Sequence, residues 1–449
     1  MDVTGLKVLV VGMARSGVAA ARFLQEKGAL VTITDAKNRE AVEPLATQLE
    51  EQGIWLALGS YPEISGFQLV VTSPGVPLTV PPIQAAYQAK VPVIGEIELA
   101  YRFAKAPLVA ITGTNGKTTT TTLIGEMFRT SGTRVCVAGN IGLPLVQEIE
   151  NCPQDSVVVV EVSSFQLETI DTFRPKASLL LNITPDHLDR HGTLENYAGA
   201  KARIMENQQA TDFTVLNYDD SLVAAMAPET KGQVIFFSRT HTLTKGVFVR
   251  DDQVVIADGS VEIPVLPAAQ IRIPGAHNLE NALGAVAVGW AMGLSPEVMA
   301  ATLKEFPGVA HRLEFVGEVA GVRYINDSKG TNPDASIKAL EAYREPIVLI
   351  AGGYDKGSDF TEFAEKMVGR VRSLVVVGQV AEKVAQAAAK VGITDIVRAQ
   401  TFPQTVELAA RKARPGDIVL LSPACASWGM FNNFEERGDL FRQLVKALN

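Results

Sequence analysis

The chain has 449 residues, 47% hydrophobic and 20% charged, a composition that suits sizeable buried cores. At roughly 150 residues per domain, that length suggests three domains. The formal net charge of -8 argues against general binding to nucleic acid or an anionic membrane, both of which need a basic face.

The N-terminus, Met1-Asp2-Val3-Thr4, has no basic segment and no small-residue cleavage site, so no signal peptide is expected. It runs into an apolar strand, Lys7-Val8-Leu9-Val10-Val11, that ends at Gly12, and an alanine-rich helix is predicted over 16–27. A second strand, 30–34, ends at Asp35. Further apolar runs at 54–58, 68–72 and 91–94 alternate with helical stretches. Such alternation predicts a parallel sheet covered on both faces. A second block opens at Pro107 with a strand at 108–111, a glycine loop at 113–118 and a helix over 119–131. Strands follow at 135–138, 156–162 and 177–183, then a β-rich stretch from 233 to 273 and a helix over 278–292. The third block has strands at 323–326, 347–351, 374–377 and 417–421 between amphipathic helices. Pro and Gly interrupt the pattern near Gly95 and Pro307. The expected fold class is therefore α/β in three domains, 1–95, 96–306 and 307–449: a Rossmann-like first domain, a P-loop ATPase-like centre and a Rossmann-like third domain. Cys136, Cys152 and Cys425 are widely spaced without a CxxC pair. This suits a reduced compartment and excludes a disulfide scaffold. No apolar run approaches the ~18 residues that span a bilayer, and the expected location is the cytoplasm.

Ile111-Thr112-Gly113-Thr114-Asn115-Gly116-Lys117-Thr118-Thr119 lies between a buried strand and a helix. Its glycines allow a tight turn that faces backbone N–H groups and a helix N-terminus toward an anion. Lys117 suits the β- and γ-phosphates of ATP, and the Thr118 hydroxyl suits Mg²⁺. The common phosphate-loop spacing would need glycine at 111, where this chain has isoleucine, so the loop is short. Glu161 ends the apolar strand Val157-Val158-Val159-Val160 at the side where parallel strands present ligand-binding groups; it also reads as an ordinary acid at a helix start. His187 and His191 are four residues apart, but position 188 is Leu where a zinc protease needs Glu. Lys201, in a helical stretch, reads from its residue type as a solvated lysine. Gly12-Met13-Ala14-Arg15-Ser16-Gly17 is one glycine short of the dinucleotide-binding pattern, with Asp35 near the usual ribose-binding acid. Gly352-Gly353-Tyr354-Asp355-Lys356-Gly357 follows a strand and is also compatible with a simple turn.

The shortened loop 113–119 resembles that of the Mur ligases and of their relatives, the folylpolyglutamate synthetases. Glu161-Val162-Ser163-Ser164-Phe165-Gln166-Leu167, Asn326-Asp327-Ser328-Lys329 and Leu421-Ser422-Pro423-Ala424-Cys425-Ala426-Ser427 are similar to the Mur branch that adds D-glutamate. The resemblance runs along essentially the whole chain in the same domain order. It implies an ATP-dependent carbon–nitrogen ligase that joins D-glutamate to UDP-N-acetylmuramoyl-L-alanine in peptidoglycan precursor synthesis.

By the same resemblance, Lys117, Glu161, His187 and Lys201 are the catalytic group. Thr118, Glu161, His187 and a carbamylated Lys201 hold two Mg²⁺ ions. ATP is bound by Gly113, Thr114, Asn115, Gly116, Lys117, Thr118, Thr119, Asn281, Arg312 and Asp327, with His311 beside Arg312. The UDP-substrate is met by Asp35, Ala36, Lys37, Ser73, Gly75 and Asn140, and D-glutamate by Thr331, Lys356, Ser427 and Phe434. The implied partners are these small molecules alone, with no nucleic acid, no membrane and a monomeric chain. The implied reaction passes through an acyl phosphate, because a carboxylate is a poor acyl donor until phosphorylation gives it a leaving group. A dehydrogenase would leave Gly113 to Thr118 unexplained, and steady phosphate release would exclude a binding protein without turnover.

Overall fold

The computed structural model describes residues 1–355 and 357–448. Three sheets form in succession along the chain. The first contains β1 (Lys7–Val11), β2 (Leu30–Asp35), β3 (Trp55–Leu58), β4 (Leu69–Thr72) and β5 (Val93–Gly95), in the order β3-β2-β1-β4-β5. All its pairings are parallel. Val8, Leu9, Val10 and Val11 are all buried, as a strand covered on both faces requires. The chain order reverses between β1 and β4, and in open α/β sheets ligands bind in the crevice at such a switch point.

The second sheet contains β6 (Leu108–Thr112), β7 (Val135–Gly139), β8 (Val157–Glu161), β9 (Ala177–Leu180), β10 (Phe213–Asn217), β11 (Gln233–Ser238), β12 (Lys245–Arg250), β13 (Gln253–Asp258) and β14 (Glu262–Pro267). Its order is β14-β13-β12-β11-β10-β9-β6-β8-β7. The β-rich stretch expected from the sequence is this sheet's far side, where β12, β13 and β14 form an antiparallel meander. The third sheet holds β15 (Glu314–Val319), β16 (Val322–Asn326), β17 (Ile347–Gly352), β18 (Val371–Val377), β19 (Ile396–Arg398) and β20 (Ile418–Leu421), in the order β15-β16-β20-β17-β18-β19. Only β15 runs antiparallel to its neighbour.

By its packing the chain divides into two compact units, Met1–Gln270 with Glu280–Lys304, and Ile271–Leu279 with Glu305–Asn449. The first two sheets lie in the first unit and the third in the second. Among the described residues, no helix is long and apolar enough to cross a membrane.

Several local expectations need correction. The helix after the phosphate loop is Lys117–Thr130 rather than 119–131, because Gly116 takes a left-handed φ of 87° and starts the helix at once. The strand expected at 177–183 stops at Leu180. Beyond it the backbone turns against the phosphate loop, where the Thr114 amide donates to the Asn182 carbonyl at 2.9 Å. β10, β15 and β19 were not foreseen. Cys136 and Cys152 are joined as a disulfide, with Cα atoms 6.2 Å apart. One cross-link is no scaffold, since large apolar clusters hold both units, but the spacing in sequence had shown no pair.

Candidate functional site

The phosphate loop follows β6, which is flanked by β8 and β9 and wholly buried. Gly113 and Gly116 have φ of 150° and 87°, conformations that side chains disfavour. A Cβ at Gly116 would lie 2.1 Å from Asn281 Oδ1, so the glycine lets that buried amide reach the loop. Asn182 braces the turn from the other side: its Oδ1 accepts from the Asn115 amide at 2.8 Å, and its Nδ2 donates to the Asn115 carbonyl at 3.1 Å. Thr114 Oγ1 pairs with the Tyr197 hydroxyl at 3.2 Å. The Lys117 ammonium lies across the turn, donating to the Gly113 and Thr114 carbonyls at 2.9 Å each. Thr118 and Thr119 are buried in the first helical turn.

Lys201 overturns the reading of a solvated lysine. It is 1% exposed in the helix Leu194–Ala202, donates to the Gly113 carbonyl at 2.8 Å and sits 4.5 Å from the centre of the Tyr197 ring. Burial holds its ammonium well below the ordinary lysine range, the Lys117 charge adds to this, and Asp186 and Glu161 oppose it. Glu161, 2% exposed at the end of β8, accepts from Asn140 Nδ2 at 2.9 Å through Oε1. Its Oε2 is buried without a hydrogen-bond partner. A buried, uncompensated carboxylate oxygen is costly unless a cation meets it. Together with the Thr118 hydroxyl it offers the hard oxygen donors that Mg²⁺ prefers, so the residues present fit that ion.

His187 is less buried than Glu161 and Lys201. It has a φ of 51° at the start of the short helix Leu188–His191, and its half-exposed ring is 3.5 Å from Asp186 and 4.8 Å from the Phe165 ring centre. His191 is the buried member of the pair, with Nε2 3.1 Å from Ser164 Oγ. Its burial lowers its pKa. The His187–His191 pair therefore splits into one inward and one outward ring, unlike a two-histidine metal site.

At the carboxyl end of the first sheet, Asp35 accepts from the Met13 amide at 2.8 Å and the Lys37 amide at 3.0 Å. Ser73 Oγ donates to the Gly12 carbonyl at 3.1 Å across the switch point. Ala36, Lys37 and Gly75 are exposed at the rim. Arg15 reaches the Gly142 carbonyl at 3.0 Å and Arg190 the Pro74 carbonyl at 3.2 Å, which ties the loops of the first two sheets together.

The second unit gathers its own polar cluster beyond β16 and β20. Asp327 is buried, its Oδ2 accepting from the Ser422 hydroxyl at 2.7 Å and its Oδ1 from the Leu313 amide at 3.3 Å. Burial pushes its carboxyl up to about 7, against the Ser422 bond and the Arg312 charge. His311, at a φ of 63°, meets Asn326 Nδ2 at 3.1 Å. The Arg437 guanidinium, 1% exposed, donates to Ser328 Oγ, the Ser328 carbonyl and the Cys425 carbonyl. Ser328 Oγ in turn donates to the Phe434 carbonyl at 2.8 Å, and the Thr331 amide to the Lys329 carbonyl at 2.9 Å. Ser427 is buried and its carbonyl accepts from the Phe431 amide at 3.1 Å. Asp327, Thr331, Ser427 and Phe434 are thus each tied by hydrogen bonds within the second unit, and Lys356 lies outside the described residues.

Sequence reasoning had not singled out Asn182, Tyr197 or Arg437. Tyr197 is four residues before Lys201, hence on the same helix face, a signal that existed once Lys201 was named. Asn182 and Arg437 act through contacts distant in sequence.

Comparison with known proteins agrees with this arrangement. Residues 6–95 match the Mur ligase MurD-like N-terminal domain, 111–289 the Mur ligase middle domain, and 311–425 the Mur ligase glutamate ligase domain. The UDP-N-acetylmuramoylalanine–D-glutamate ligase of Pelotomaculum thermopropionicum is 56% identical over 449 residues, covering 100% of this chain and 99% of that protein. The enzyme of that name from Thermoanaerobacter sp. is 48% identical, with 100% of both chains covered. Among solved structures, the UDP-N-acetylmuramate-alanine ligase MurC of Thermotoga maritima shares the fold with a TM-score of 0.62 at 19% identity, covering 99% of this chain and 100% of that one. With its phosphate loop, its buried Glu161 and Lys201, and family matches along most of its length, this chain belongs to the Mur ligase family.

Proposed function

We propose that this protein joins D-glutamate to UDP-N-acetylmuramoyl-L-alanine, consuming ATP and releasing ADP and phosphate, as a monomer in the cytoplasm where these nucleotides are made. The observation that carries the reading is the convergence of Lys117 and Lys201 on the Gly113 carbonyl, close to a carboxylate with an unpartnered buried oxygen. Relatives 56% and 48% identical over the whole chain support the choice of substrates.

The L-alanyl carboxylate attacks the γ-phosphate, and the amine of D-glutamate then displaces phosphate from the acyl phosphate. Phosphoryl transfer depends chiefly on positioning and on charges placed before reaction. The backbone amides of loop 113–118 and the Lys117 ammonium hold the β- and γ-phosphates. Thr118, Glu161, His187 and Lys201 would hold magnesium, which when bound neutralises the phosphate charge that grows during transfer. Lys201 could serve as a metal ligand only after its amine adds carbon dioxide and loses a proton, giving a carbamate with two oxygen donors. Its burial supplies the neutral amine this addition needs. Asp35, Ala36, Lys37, Ser73, Gly75 and Asn140 meet the UDP-substrate, and Thr331, Lys356, Ser427 and Phe434 meet D-glutamate. We divide the chain accordingly into domains 1–95, 96–306 and 307–449.

The acyl phosphate is testable by isotope transfer. With heavy oxygen in the L-alanyl carboxylate, one labelled oxygen is expected in each phosphate released. Unlabelled phosphate, with the label kept in the amide product or lost to water, rules out the acyl phosphate route.

A further inference from the structure

β7 is the edge strand of its sheet and, among the described residues, has β8 as its one neighbouring strand. Yet the turn that follows carries an important contact. Gly139, at a φ of 108°, brings the backbone so close to β8 that a Cβ would lie 2.3 Å from the Glu161 carbonyl. The Asn140 amide donates to that carbonyl at 2.9 Å, and Asn140 Nδ2 to Glu161 Oε1 at 2.9 Å. The Gly139 amide closes the turn on the Leu143 carbonyl at 3.1 Å. The chain then enters the one-turn helix Leu145–Glu148 and the short 3₁₀ turn Ile149–Asn151, ending at Cys152. Cys152 is buried, and Cys136 on β7 is half-buried. Their disulfide therefore closes a loop that contains the Asn140 turn, and it supplies the edge strand with a restraint besides its pairing with β8.

We propose that Cys136 and Cys152 form a reversible dithiol–disulfide site whose oxidation state sets how firmly Asn140 is held on Glu161, and through it the affinity for the UDP-substrate. This rests on the placement of Asn140 in the UDP-substrate site and on the cytoplasmic reading, since disulfides in that compartment are mostly transient or redox-sensing. The oxidant is a small aliphatic disulfide. The half-buried Cys136 thiolate attacks one of its sulfurs, breaking that S–S bond and releasing a first thiolate. The Cys152 thiolate then attacks Cys136 Sγ and releases a second. The protein loses two electrons and two protons, which end on two molecules of small thiol. In the dithiol form the Cys152 S–H has a ready acceptor in the Glu148 carbonyl, 3.1 Å from its sulfur.

The test equilibrates the full-length protein in glutathione buffers of graded oxidised-to-reduced ratio, then alkylates and weighs it. Hydrogen exchange over 137–148 and steady-state kinetics are measured at each end point. The pair is expected to titrate reversibly between blocked and alkylatable. On reduction, exchange in 137–148 quickens and the KM for UDP-N-acetylmuramoyl-L-alanine rises at least about threefold, with kcat within about twofold. The double variant C136S/C152S holds the reduced values in both buffers. A pair that stays reduced in oxidised glutathione, or KM and exchange alike in the two states, overturns the proposal. Absence of ligation in both states would count against the assigned function instead, and the alkylation and exchange arms would still decide this one.

Discussion

At the scale of single residues, the most consequential feature is a lysine placed where a lysine is costly. Lys201 is buried between Tyr197 and the Gly113 carbonyl, a few ångströms from the ring centre of the one and within hydrogen-bond reach of the other, with a second cation, Lys117, on the same oxygen. Burial first, and then repulsion between two ammonium groups sharing one carbonyl, make the site favour a neutral amine. A neutral amine reacts with carbon dioxide, and the resulting carbamate would compensate Lys117 instead of opposing it. In carbon-13 bicarbonate, the wild-type protein should show a carbamate carbonyl resonance that Lys201→Ala lacks. That variant should lose at least about 100-fold in kcat, and formate or acetate should restore part of it. A wild-type spectrum without the resonance, or a variant with near-normal turnover, removes the carbamate from the account. Lys201 also shows where reading by residue type fails: a helical lysine is solvated by default, and only the packing of Tyr197 and the phosphate loop around it reveals otherwise.

At the scale of elements, the strand–loop–helix units were legible because each keeps its chemistry contiguous. The run 108–119 contains a buried strand, two glycines that need left-handed backbone, and the helix start, all within a dozen residues. Glu161 was likewise readable as the polar end of a valine strand. Elements that depend on neighbours were not. β19 has three residues, β15 forms only by pairing with β16, and the Cys136–Cys152 pair joins an edge strand to a turn that sequence separation conceals. Glu96 illustrates the same dependence on neighbours. It begins the helix Glu96–Phe103, is 1% exposed, and its Oε1 accepts from the Val146 amide at 2.8 Å while Oε2 has no partner. Burial raises its pKa from 4.5 to about 7. The folded chain thus keeps a proton that the unfolded chain releases across that window. The folded state binds more protons there, so Glu96 makes stability fall as pH rises from about 4.5 to about 7. Glu96→Gln should flatten that slope: melting temperatures should match wild type near pH 5 and exceed it near pH 8. Parallel melting curves for the two proteins across the range would show that Glu96 is ionised in the fold.

At the scale of the whole molecule, three sheets built from similar strand–helix units carry distinct polar clusters. The first sheet presents Asp35 and Ser73 at its switch point, the second a phosphate loop with Glu161 and Lys201, and the third Asp327 and its network with Ser422. The α/β architecture was readable in the alternation of apolar runs. The amino-acid specificity was not, because Thr331, Ser427 and Phe434, the residues proposed to meet D-glutamate, are distant in sequence and none has a chemistry unique to that amino acid. The resemblance of segments 161–167, 326–329 and 421–427 supplied it. The central claim is therefore tested most directly by phosphate release from ATP with UDP-N-acetylmuramoyl-L-alanine, against a panel of D- and L-amino acids. Steady release is expected with D-glutamate, at least about 100-fold faster than with L-glutamate, equivalent to roughly 2.7 kcal/mol in transition-state binding. Equal rates with the two enantiomers, or release that ignores the amino acid supplied, would contradict it.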